Sequence, residues 1–591
     1  MKCLLVAINA KYIHSNPGVY SLKRYAEMAA ADGDSSRVHV EIGEYTINNQ
    51  MERILEDIYR RKPDVVGISC YIWNIVHALN LVHDLHKVLP DTDIWLGGPE
   101  VSFDAPRMLE REPEILGVMK GEGEETFAGL MECYRKLGCS LRQWERKAKT
   151  DRTAGETFWR ELTGIAGLTC KDSFGRICDQ PVRPVMDMSR IPFLYQDLEG
   201  FEHRIVYYES SRGCPFSCSY CLSSIDKSVR FRDIGLVKQE LDFFLERRVP
   251  QVKFVDRTFN CKKSHAMAIW QHILEHDNGV TNFHFEIAAD LLDEEELHLL
   301  EQMRPGLIQL EIGVQSTNPD TICEIKRKMD LAKLKQVVER INRGHNIHQH
   351  LDLIAGLPHE DYSSFSTSFN AVYEMQPEQL QLGFLKVLKG SYMHERAQEY
   401  GLVYRELPPY EVLSTRWLSY ADVLKLKGIE DMVEVYYNSG QFTQTLKQLE
   451  SQFSDAFSMY EKLARYYDRK QLTGLNHSRI ARYEILHQFI KEELPLVDIG
   501  RMEDCMMVDL YLRENIKSRP SFALDQSPYK ERIRSRIPDL RTLGTQVHGE
   551  VLRSGELVVF DYRERDLLTR NAKVTIEGRE LQHSGGTYGK T

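Results

Sequence analysis

Short apolar runs alternate with amphipathic helical patterns twice along this chain, first over residues 1–145 and again from about residue 204. In the first stretch, a helix such as Ile75–Val88 fits between consecutive runs. The predicted strands there are Lys2–Ile8, Val38–Tyr45, Val65–Ser69, Asp93–Leu96 and Ile115–Lys120. Strands that alternate with helices at this spacing form a parallel sheet covered by helices. The pattern therefore predicts a flavodoxin-like (Rossmann-like) α/β domain at the start of the chain.

The second stretch of alternation contains six further apolar runs separated by helical segments. These predicted strands are Arg204–Glu209, Val252–Asp256, His284–Ala288, Leu307–Gly313, Ile347–Ile354 and Leu380–Phe384. Six such units are fewer than the eight of a closed α/β barrel, so the pattern predicts a partial (β/α)6 barrel. Barrels of this kind carry their chemistry at the carboxyl ends of the strands.

The remaining segments complete a four-part domain prediction. A polar connector contains a hairpin predicted around Gly167–Cys178, and residues beyond about 400 are mostly helical. Glu550–Tyr562 and Ala572–Ile576 are predicted strands of a small terminal β unit, and the tail from His583 is expected to be disordered. The predicted domains are residues 1–140, a linker at 141–203, the barrel at 204–400 and an extension at 401–591.

Composition and charge indicate which classes of binding partner and which cellular compartment to expect for this protein. The net charge is −11 and no run of Lys or Arg is present, which argues against nucleic acid as a main partner. No stretch approaches the ~20 apolar residues of a membrane span, so no membrane association is expected. The twelve cysteines show no regular pairing, which is typical of the reduced cytoplasm.

Three of these cysteines form the sequence C-x3-C-x2-C directly after the first barrel strand. They are Cys214, Cys218 and Cys221, and no fourth cysteine is near them in the sequence. Structural zinc sites and electron-transfer [4Fe–4S] clusters normally use four protein ligands. A cluster held by three thiolates would leave one iron open to a substrate. The alternative is a loop of packed cysteines. The other nine cysteines are expected to be ordinary thiols.

The cysteine spacing resembles that of radical S-adenosylmethionine (SAM) enzymes. The resemblance implies that Cys214, Cys218 and Cys221 hold a [4Fe–4S] cluster that reductively cleaves SAM, with flavodoxin or ferredoxin as electron donor. Phe254–Asn260 and Ile354–Glu360 resemble later strand-end motifs of the same superfamily. The positions implied to contact SAM are Tyr220, Asp256, Glu286, Gln315, Ser316 and Gly356. A strand-terminal acid is also commonly a cap or an ion-pair partner.

The first domain resembles the cobalamin-binding domain of B12-dependent radical SAM enzymes at Pro63–Asn74, Leu96–Glu100 and Lys120–Phe127. The implied cobalamin-binding residues are Asn9, Ser69, Tyr71, Asn74, Gly97, Gly98, Gly121 and Glu122. The Asp-x-His-x-x-Gly signature that supplies a histidine ligand to cobalt is absent. His14 is the only histidine of the first loop and its context does not match, so cobalt is expected to lack a protein histidine. The alternative is a flavodoxin-like domain that binds no ligand, or one that binds the substrate instead of cobalamin.

Together these motifs resemble the family of radical SAM proteins with a B12-binding domain and a C-terminal extension of unknown function. The resemblance implies a cobalamin-dependent radical SAM enzyme that methylates an unactivated carbon of a small-molecule or peptide substrate. Three alternatives remain open: a cobalamin-dependent cyclase or rearrangement enzyme, a methylthiotransferase-like enzyme without B12, and a non-enzymatic iron–sulfur electron carrier or cofactor sensor. No catalytic residue is assigned.

Overall fold

The computed structural model describes residues 1–30, 38–147, 152–537, 544–576 and 579–580. The chain divides into two compact units. The first contains residues 1–286, 386–399 and 403–412, and the second contains residues 287–385, 400–402 and 413–591. The tail predicted to be disordered, from His583, lies outside the described residues. None of the described helices has the length and apolar character needed to cross a bilayer.

The first unit opens with a parallel sheet in the order β2-β1-β3-β4-β5. Its strands are β1 (Lys2–Asn9), β2 (His39–Thr46), β3 (Val65–Ser69), β4 (Asp93–Gly97) and β5 (Gly117–Met119). Its helices are α1 (Pro17–Ala30), α2 (Met51–Arg61), α3 (Ile75–Val88), α4 (Pro99–Ser102), α5 (Ala105–Arg111) and α6 (Glu124–Leu137). Leu4, Val6 and Ile8 of β1 pack in one core, and Cys3, Leu5 and Ala7 pack in another. This two-sided burial explains the continuous apolar runs in the sequence.

Part of the segment expected to be a linker extends this sheet. After α7 (Leu141–Lys147) and α8 (Arg152–Leu162), strands β6 (Leu168–Lys171) and β7 (Ile177–Asp179) form the predicted hairpin. β6 pairs antiparallel with β5, giving a mixed seven-stranded sheet instead of five parallel strands. The linker interpretation is therefore wrong for these strands. Leu168 and Cys170 are buried in the core of the sheet, which accounts for their attachment.

The first unit also contains the strands that begin the predicted barrel. β8 (Val206–Tyr208) is followed by the short strands β9 (Ser211–Arg212) and β10 (Arg230–Phe231), then by β11 (Gln251–Phe254) and β12 (Asn282–Ile287). β11 pairs in parallel with both β8 and β12. Helices α9 (Ile234–Glu246) and α10 (Lys263–Glu275) follow β10 and β11.

The second unit contains three further parallel strands and their helices. β13 (Ile308–Gln315), β14 (His348–Ala355) and β15 (Gln379–Phe384) are neighbours in that order. Their helices are α11 (Glu294–Glu301), α12 (Pro319–Glu324), α13 (Leu331–Gly344) and α14 (Tyr362–Tyr373). Each of the six strands predicted for the barrel is present, with ends within two residues of the expected positions.

The chain beyond the barrel strands is mostly helical, as predicted. Its elements are α15 (Tyr392–Glu395), β16 (Val403–Tyr404), β17 (Val412–Ser414), α16 (Tyr420–Met432), α17 (Thr443–Glu450), α18 (Ala456–Arg469), α19 (Arg479–Glu493), α20 (Ile499–Leu512) and α21 (Lys530–Arg536). An antiparallel sheet follows, made of β18 (Val547–Val551), β19 (Leu557–Arg565), β20 (Ala572–Ile576) and β21 (Arg579–Glu580). The single strand predicted at Glu550–Tyr562 is wrong. Gly555, with φ of +87°, turns the chain there and divides it between two strands.

Candidate functional site

The three cysteines lie on a loop of the first unit that is closed by a short antiparallel ladder. Arg212 of β9 pairs with Arg230 of β10 at the base of this loop. Gly213 has φ of +89°, and a Cβ there would lie 2.7 Å from the carbonyl oxygen of Ser228. Glycine is therefore required at the point where the chain enters the loop.

The thiols of the loop suit a metal cluster held by sulfur. Cys214 and Cys218 are buried, Cys221 is half-buried, and all three are free of disulfides. Backbone bonds fix the loop around them, since the amide of Cys214 donates to the carbonyl of Asp226 at 3.2 Å and that of Cys221 donates to Cys218. Three thiolates on a fixed loop form a donor set typical of iron–sulfur proteins.

A fourth thiol lies in the surroundings of Cys214, which the sequence spacing did not predict. Thr258 connects the two residues: its hydroxyl lies 3.6 Å from Cys214 Sγ, and its carbonyl accepts a hydrogen bond from the amide of Cys261 at 3.1 Å. Burial, followed by the charge of Cys214, raises the pKa of Cys261 to about 11. Cys261 lies outside the loop between β9 and β10, so it does not belong to the predicted set of three cysteines.

Asp256 lies under the cysteine loop and its carboxylate is used within the protein. It is fully buried and accepts hydrogen bonds from the Ser210 amide at 3.0 Å, the Ser210 hydroxyl at 2.7 Å and the Ser211 hydroxyl at 2.5 Å. Burial raises its pKa to about 6. These contacts hold the start of the loop in place, and the contact of Asp256 with SAM stays a prediction. Tyr220 within the loop and Glu286 near the end of β12 are half-buried, and their contact with SAM stays a prediction.

The other three residues predicted to contact SAM lie in the second unit. Gln315 ends β13 with φ of +72°, and its side-chain oxygen has no hydrogen-bond partner among the described residues. Ser316 is fully buried and donates to Glu360 at 2.6 Å. Burial raises the pKa of Glu360 to about 7. Gly356, with φ of +91°, forms the turn after β14. Their roles toward SAM stay predictions.

A cavity of about 630 Å³ lies at the carboxyl ends of the first sheet. Six of the predicted cobalamin-binding residues line it, namely Ser69, Tyr71, Gly97, Gly98, Gly121 and Glu122. Leu222, Ser223, Ile225 and Asp226 of the cysteine loop line the same cavity, together with Arg257. The small residues at the strand ends leave space for a large flat ligand, so the glycine-rich part of the lining fits a corrinoid. Within the first unit, one cavity thus joins the sheet edge to the cysteine loop.

Two predicted cobalamin-binding residues do not line this cavity. Asn74 is buried, and both ends of its side-chain amide form hydrogen bonds with the backbone. Its nitrogen donates to the carbonyls of Ile8 and Ser69 at 2.9 Å, and its oxygen accepts from the Tyr71 amide at 2.7 Å. Asn9 donates at 3.0 Å to the carbonyl of His14 and to Glu44. These contacts hold the neighbouring loops in place, and the contact of both asparagines with cobalamin stays a prediction.

No histidine is among the described residues that line the cavity. His14 lies elsewhere, with its Nδ1 atom 2.6 Å from the hydroxyl of Tyr207. Burial lowers the pKa of His14, which keeps the ring neutral. His14 therefore lies outside the lining of this cavity, and the absence of a protein histidine on cobalt stays a prediction.

Replacing Gly98 with alanine is expected to destabilise the first unit. Gly98 has φ of +112°, and a Cβ there would lie 2.5 Å from the carbonyl oxygen of Cys70, which belongs to the backbone. Gly175, with φ of +76° and open space around the position of a Cβ, is a control for a positive φ without a steric clash. We expect Gly175→Ala to cost about 1 kcal/mol and Gly98→Ala roughly 2–3 kcal/mol in the free energy of unfolding. Equal losses in thermal unfolding would contradict the packing argument.

A network of partly buried ion pairs connects the cysteine loop to the start of α6, and the sequence pattern did not reveal it. Arg212 donates to Glu124 at 2.6 Å and to Glu209 at 2.9 Å. Arg230 donates to Glu122 at 2.5 Å. Burial raises the pKa of Glu209. Burial is also the largest single influence on Glu124, but the charge and hydrogen bond of Arg212, together with hydrogen bonds from Ser21 and the backbone, outweigh it and lower the pKa. The signal available in the sequence was only the Gly-Glu-Gly-Glu-Glu segment after β5.

A second cavity, of about 540 Å³, adjoins the first and is lined partly by the same residues. Tyr71, Glu122, Ser223 and Arg257 line both cavities. The ion-paired residues Arg212, Glu124 and Glu209 line the second one. The space next to the cysteine loop is therefore strongly polar on this side.

Comparison with known protein families agrees with this arrangement. Residues 4–131 match the B12 binding domain, residues 208–372 match the radical SAM superfamily, and residues 398–554 match a family of proteins of unknown function (DUF4080). The chain is a radical SAM protein with a B12-binding domain. The predicted family, fold class and C-terminal extension are thereby confirmed. The cofactors of these two domains are cobalamin, SAM and a [4Fe–4S] cluster.

Several individual proteins are similar to this radical SAM protein. An uncharacterized methyltransferase of Pyrococcus horikoshii is 30% identical over 229 residues, which are 36% of this chain and 44% of that relative. A 2-(S-pantetheinyl)-carbapenam-3-carboxylate methyltransferase of Streptantibioticus cattleyicolor is 23% identical over 486 residues, which are 76% of this chain and 68% of that relative.

One solved structure resembles nearly the whole chain. It is the cobalamin-dependent S-adenosylmethionine radical enzyme OxsB with aqua-cobalamin and S-adenosylmethionine bound. The TM-score is 0.57 at 14% sequence identity, and the match covers 92% of this chain and 81% of OxsB. At this identity the likeness establishes the fold.

Proposed function

We propose that this radical SAM protein is a cobalamin-dependent methyltransferase that acts on a small molecule. The observation that carries the proposal is the cavity of the first unit, which the strand ends of the B12-binding domain and the cysteine loop line together. The methyltransferases among its relatives support the same reaction class. When bound, the cluster supplies an electron to SAM and cobalamin supplies a carrier for the methyl group.

The residues of the chain supply position and charge for this chemistry. Cys214, Cys218 and Cys221 hold the cluster on the loop between β9 and β10. Gly97, Gly98 and Gly121 give the flat face of the corrinoid access to the backbone, and the Arg212 network fixes the loop against α6. Methyl transfer to the small molecule then takes place in the polar space beside the loop. Tyr71 and Arg257 line this space and the neighbouring cavity.

The test can be carried out without the substrate. We expect the anaerobically reconstituted protein to bind hydroxocobalamin and, with a chemical reductant, to convert SAM to S-adenosylhomocysteine only when the corrinoid is present. Methyl transfer from SAM leaves that product, whereas reductive cleavage leaves 5′-deoxyadenosine. Formation of 5′-deoxyadenosine alone, with corrinoid bound, would favour the cyclase or rearrangement alternative. Failure to bind any corrinoid would exclude both.

Flavodoxin or ferredoxin as the electron donor stays a prediction of the family resemblance. The same assay tests it when the chemical reductant is replaced by a reduced flavodoxin or ferredoxin. Turnover with neither protein would contradict this choice of partner.

A further inference from the structure

Arg257 differs from every other cationic residue that lines the two cavities. The others are ion-paired: Lys120 with Asp179, Arg183 with Glu125, Arg212 with Glu124, Arg230 with Glu122, and Arg232 with Glu240. Within the described part of the chain, the guanidinium of Arg257 has neither an ion pair nor a hydrogen-bond partner. It lines both cavities directly after β11 and is exposed to their space.

Two hydroxyl groups without hydrogen-bond partners face the same space. The phenol of Tyr71 and the hydroxyl of Ser223 line both cavities, and neither has a partner among the residues that the structure describes. Tyr71 is held in place by stacking on Trp73, with ring centroids 4.4 Å apart and planes 8° from parallel. Burial raises the pKa of Tyr71, while the charge of Arg257 acts in the opposite direction, so the phenol remains a hydrogen-bond donor.

The acidic residues of the cavity walls do not neutralise Arg257. Glu122 and Asp226 both accept from Arg230, and Glu209 accepts from Arg212. The positive charge of Arg257 and the two donors that line the same cavities are therefore left for a ligand. A planar guanidinium binds carboxylate and phosphate groups with paired hydrogen bonds, which a neutral or cationic group cannot accept as well.

We propose that Arg257, together with Tyr71 and Ser223, binds a carboxylate or phosphate group of the small-molecule substrate. This inference rests on the proposed function in placing the substrate in these cavities and names its chemical class. An anionic group at this position anchors the substrate beside Ser223, which follows the last cysteine by two residues. The reacting carbon then belongs to a part of the substrate that lies away from the anion.

The cofactors carry the same chemistry, since cobalamin contains a phosphodiester and SAM contains a carboxylate. The affinity of the protein for each cofactor shows whether Arg257 binds the anion of cobalamin, of SAM or of the substrate. We expect Arg257→Met to leave the dissociation constants for hydroxocobalamin and for SAM within about twofold of the wild type, by absorbance titration and equilibrium dialysis. A loss of roughly tenfold or more for either cofactor would assign the anion to that cofactor and overturn the substrate proposal.

The substrate class is tested by ligand-observed NMR on the corrinoid-loaded protein with small carboxylic acids, phosphate monoesters and their neutral amide or ester counterparts. We expect binding by members of the acid and phosphate sets, weakened roughly tenfold in Arg257→Met and largely retained in Arg257→Lys. The exposed Arg53, replaced by Met, is the matched control and should change nothing. Equal binding of neutral counterparts, hits that survive Arg257→Met, or no hits at all would each overturn the proposal. NMR measures binding without turnover. A failure of the proposed methyl transfer, which the S-adenosylhomocysteine assay detects, is therefore distinguishable from a failure of anion binding.

Discussion

Replacing Cys218 with alanine is expected to abolish reductive cleavage of SAM and to remove most of the bound iron and sulfide. Cys218 is buried in the loop closed by β9 and β10, and no other residue of that loop offers a sulfur ligand besides Cys214 and Cys221. Two thiolates do not hold a [4Fe–4S] cluster in place of three, so we expect 5′-deoxyadenosine formation to fall by roughly a thousandfold or more. Iron analysis, the visible absorbance of the reconstituted protein and product chromatography provide the measurement.

Cys261→Ala is the informative control, because this residue lies in the surroundings of Cys214 as well. Its position outside the loop predicts that the variant keeps its cluster and its SAM cleavage. The exposed Cys323, replaced by alanine, controls for the loss of any thiol. A cluster that persists in Cys218→Ala and disappears in Cys261→Ala would show that the ligand set predicted from the sequence is wrong.

The strands could be located from the sequence because a strand that is buried on both faces consists of a continuous run of apolar residues. Every second residue of β1 packs in a different core, so the whole strand is apolar and stands out from its flanks. The β6–β7 hairpin was recognised, but its attachment to the sheet was not. Its strands are short, and β7 is only half-buried, which gives the weak alternation expected of a sheet edge.

The candidate site was predictable where it depends on spacing along the chain and not where it depends on contacts between distant segments. The three cysteines are close in sequence, and the glycines at strand ends reflect backbone geometry. Cys261 and Arg257 come near the loop only because β8 and β11 are neighbours in the sheet. Asn9 and Asn74 are further examples, since the spacing did not predict the contacts that their side chains make within the protein. A small polar residue at a strand end can contact a ligand, but these two satisfy backbone and side-chain groups of neighbouring loops.

Replacing Arg212 with glutamine is expected to destabilise the first unit by about 3 kcal/mol and to loosen the cysteine loop. The change leaves the buried carboxylate of Glu124 and its neighbour Glu209 without their shared positive charge. Glutamine retains a donor but supplies no charge, so the desolvation of both carboxylates is no longer offset. Thermal unfolding and hydrogen–deuterium exchange of residues 211–231 measure the two effects. The exposed Arg53, which pairs with Glu56 on α2, is the control, and Arg53→Gln should unfold like the wild type.

The pH dependence distinguishes this electrostatic role from simple packing. In the wild type, the lowered pKa of Glu124 means that its pairing stabilises the fold above the ordinary carboxyl pKa, and that this stabilisation is lost as the pH falls. Without Arg212, burial dominates and raises the pKa of Glu124 above its value in the unfolded chain. The variant then gains stability relative to the wild type as the pH falls from 7 toward 4, since protonation removes the buried charges. A difference between the two proteins that is independent of pH would show that Arg212 acts through its packing alone. Convergence in acid would instead show that the charge of Arg212 holds the cysteine loop against the B12-binding domain.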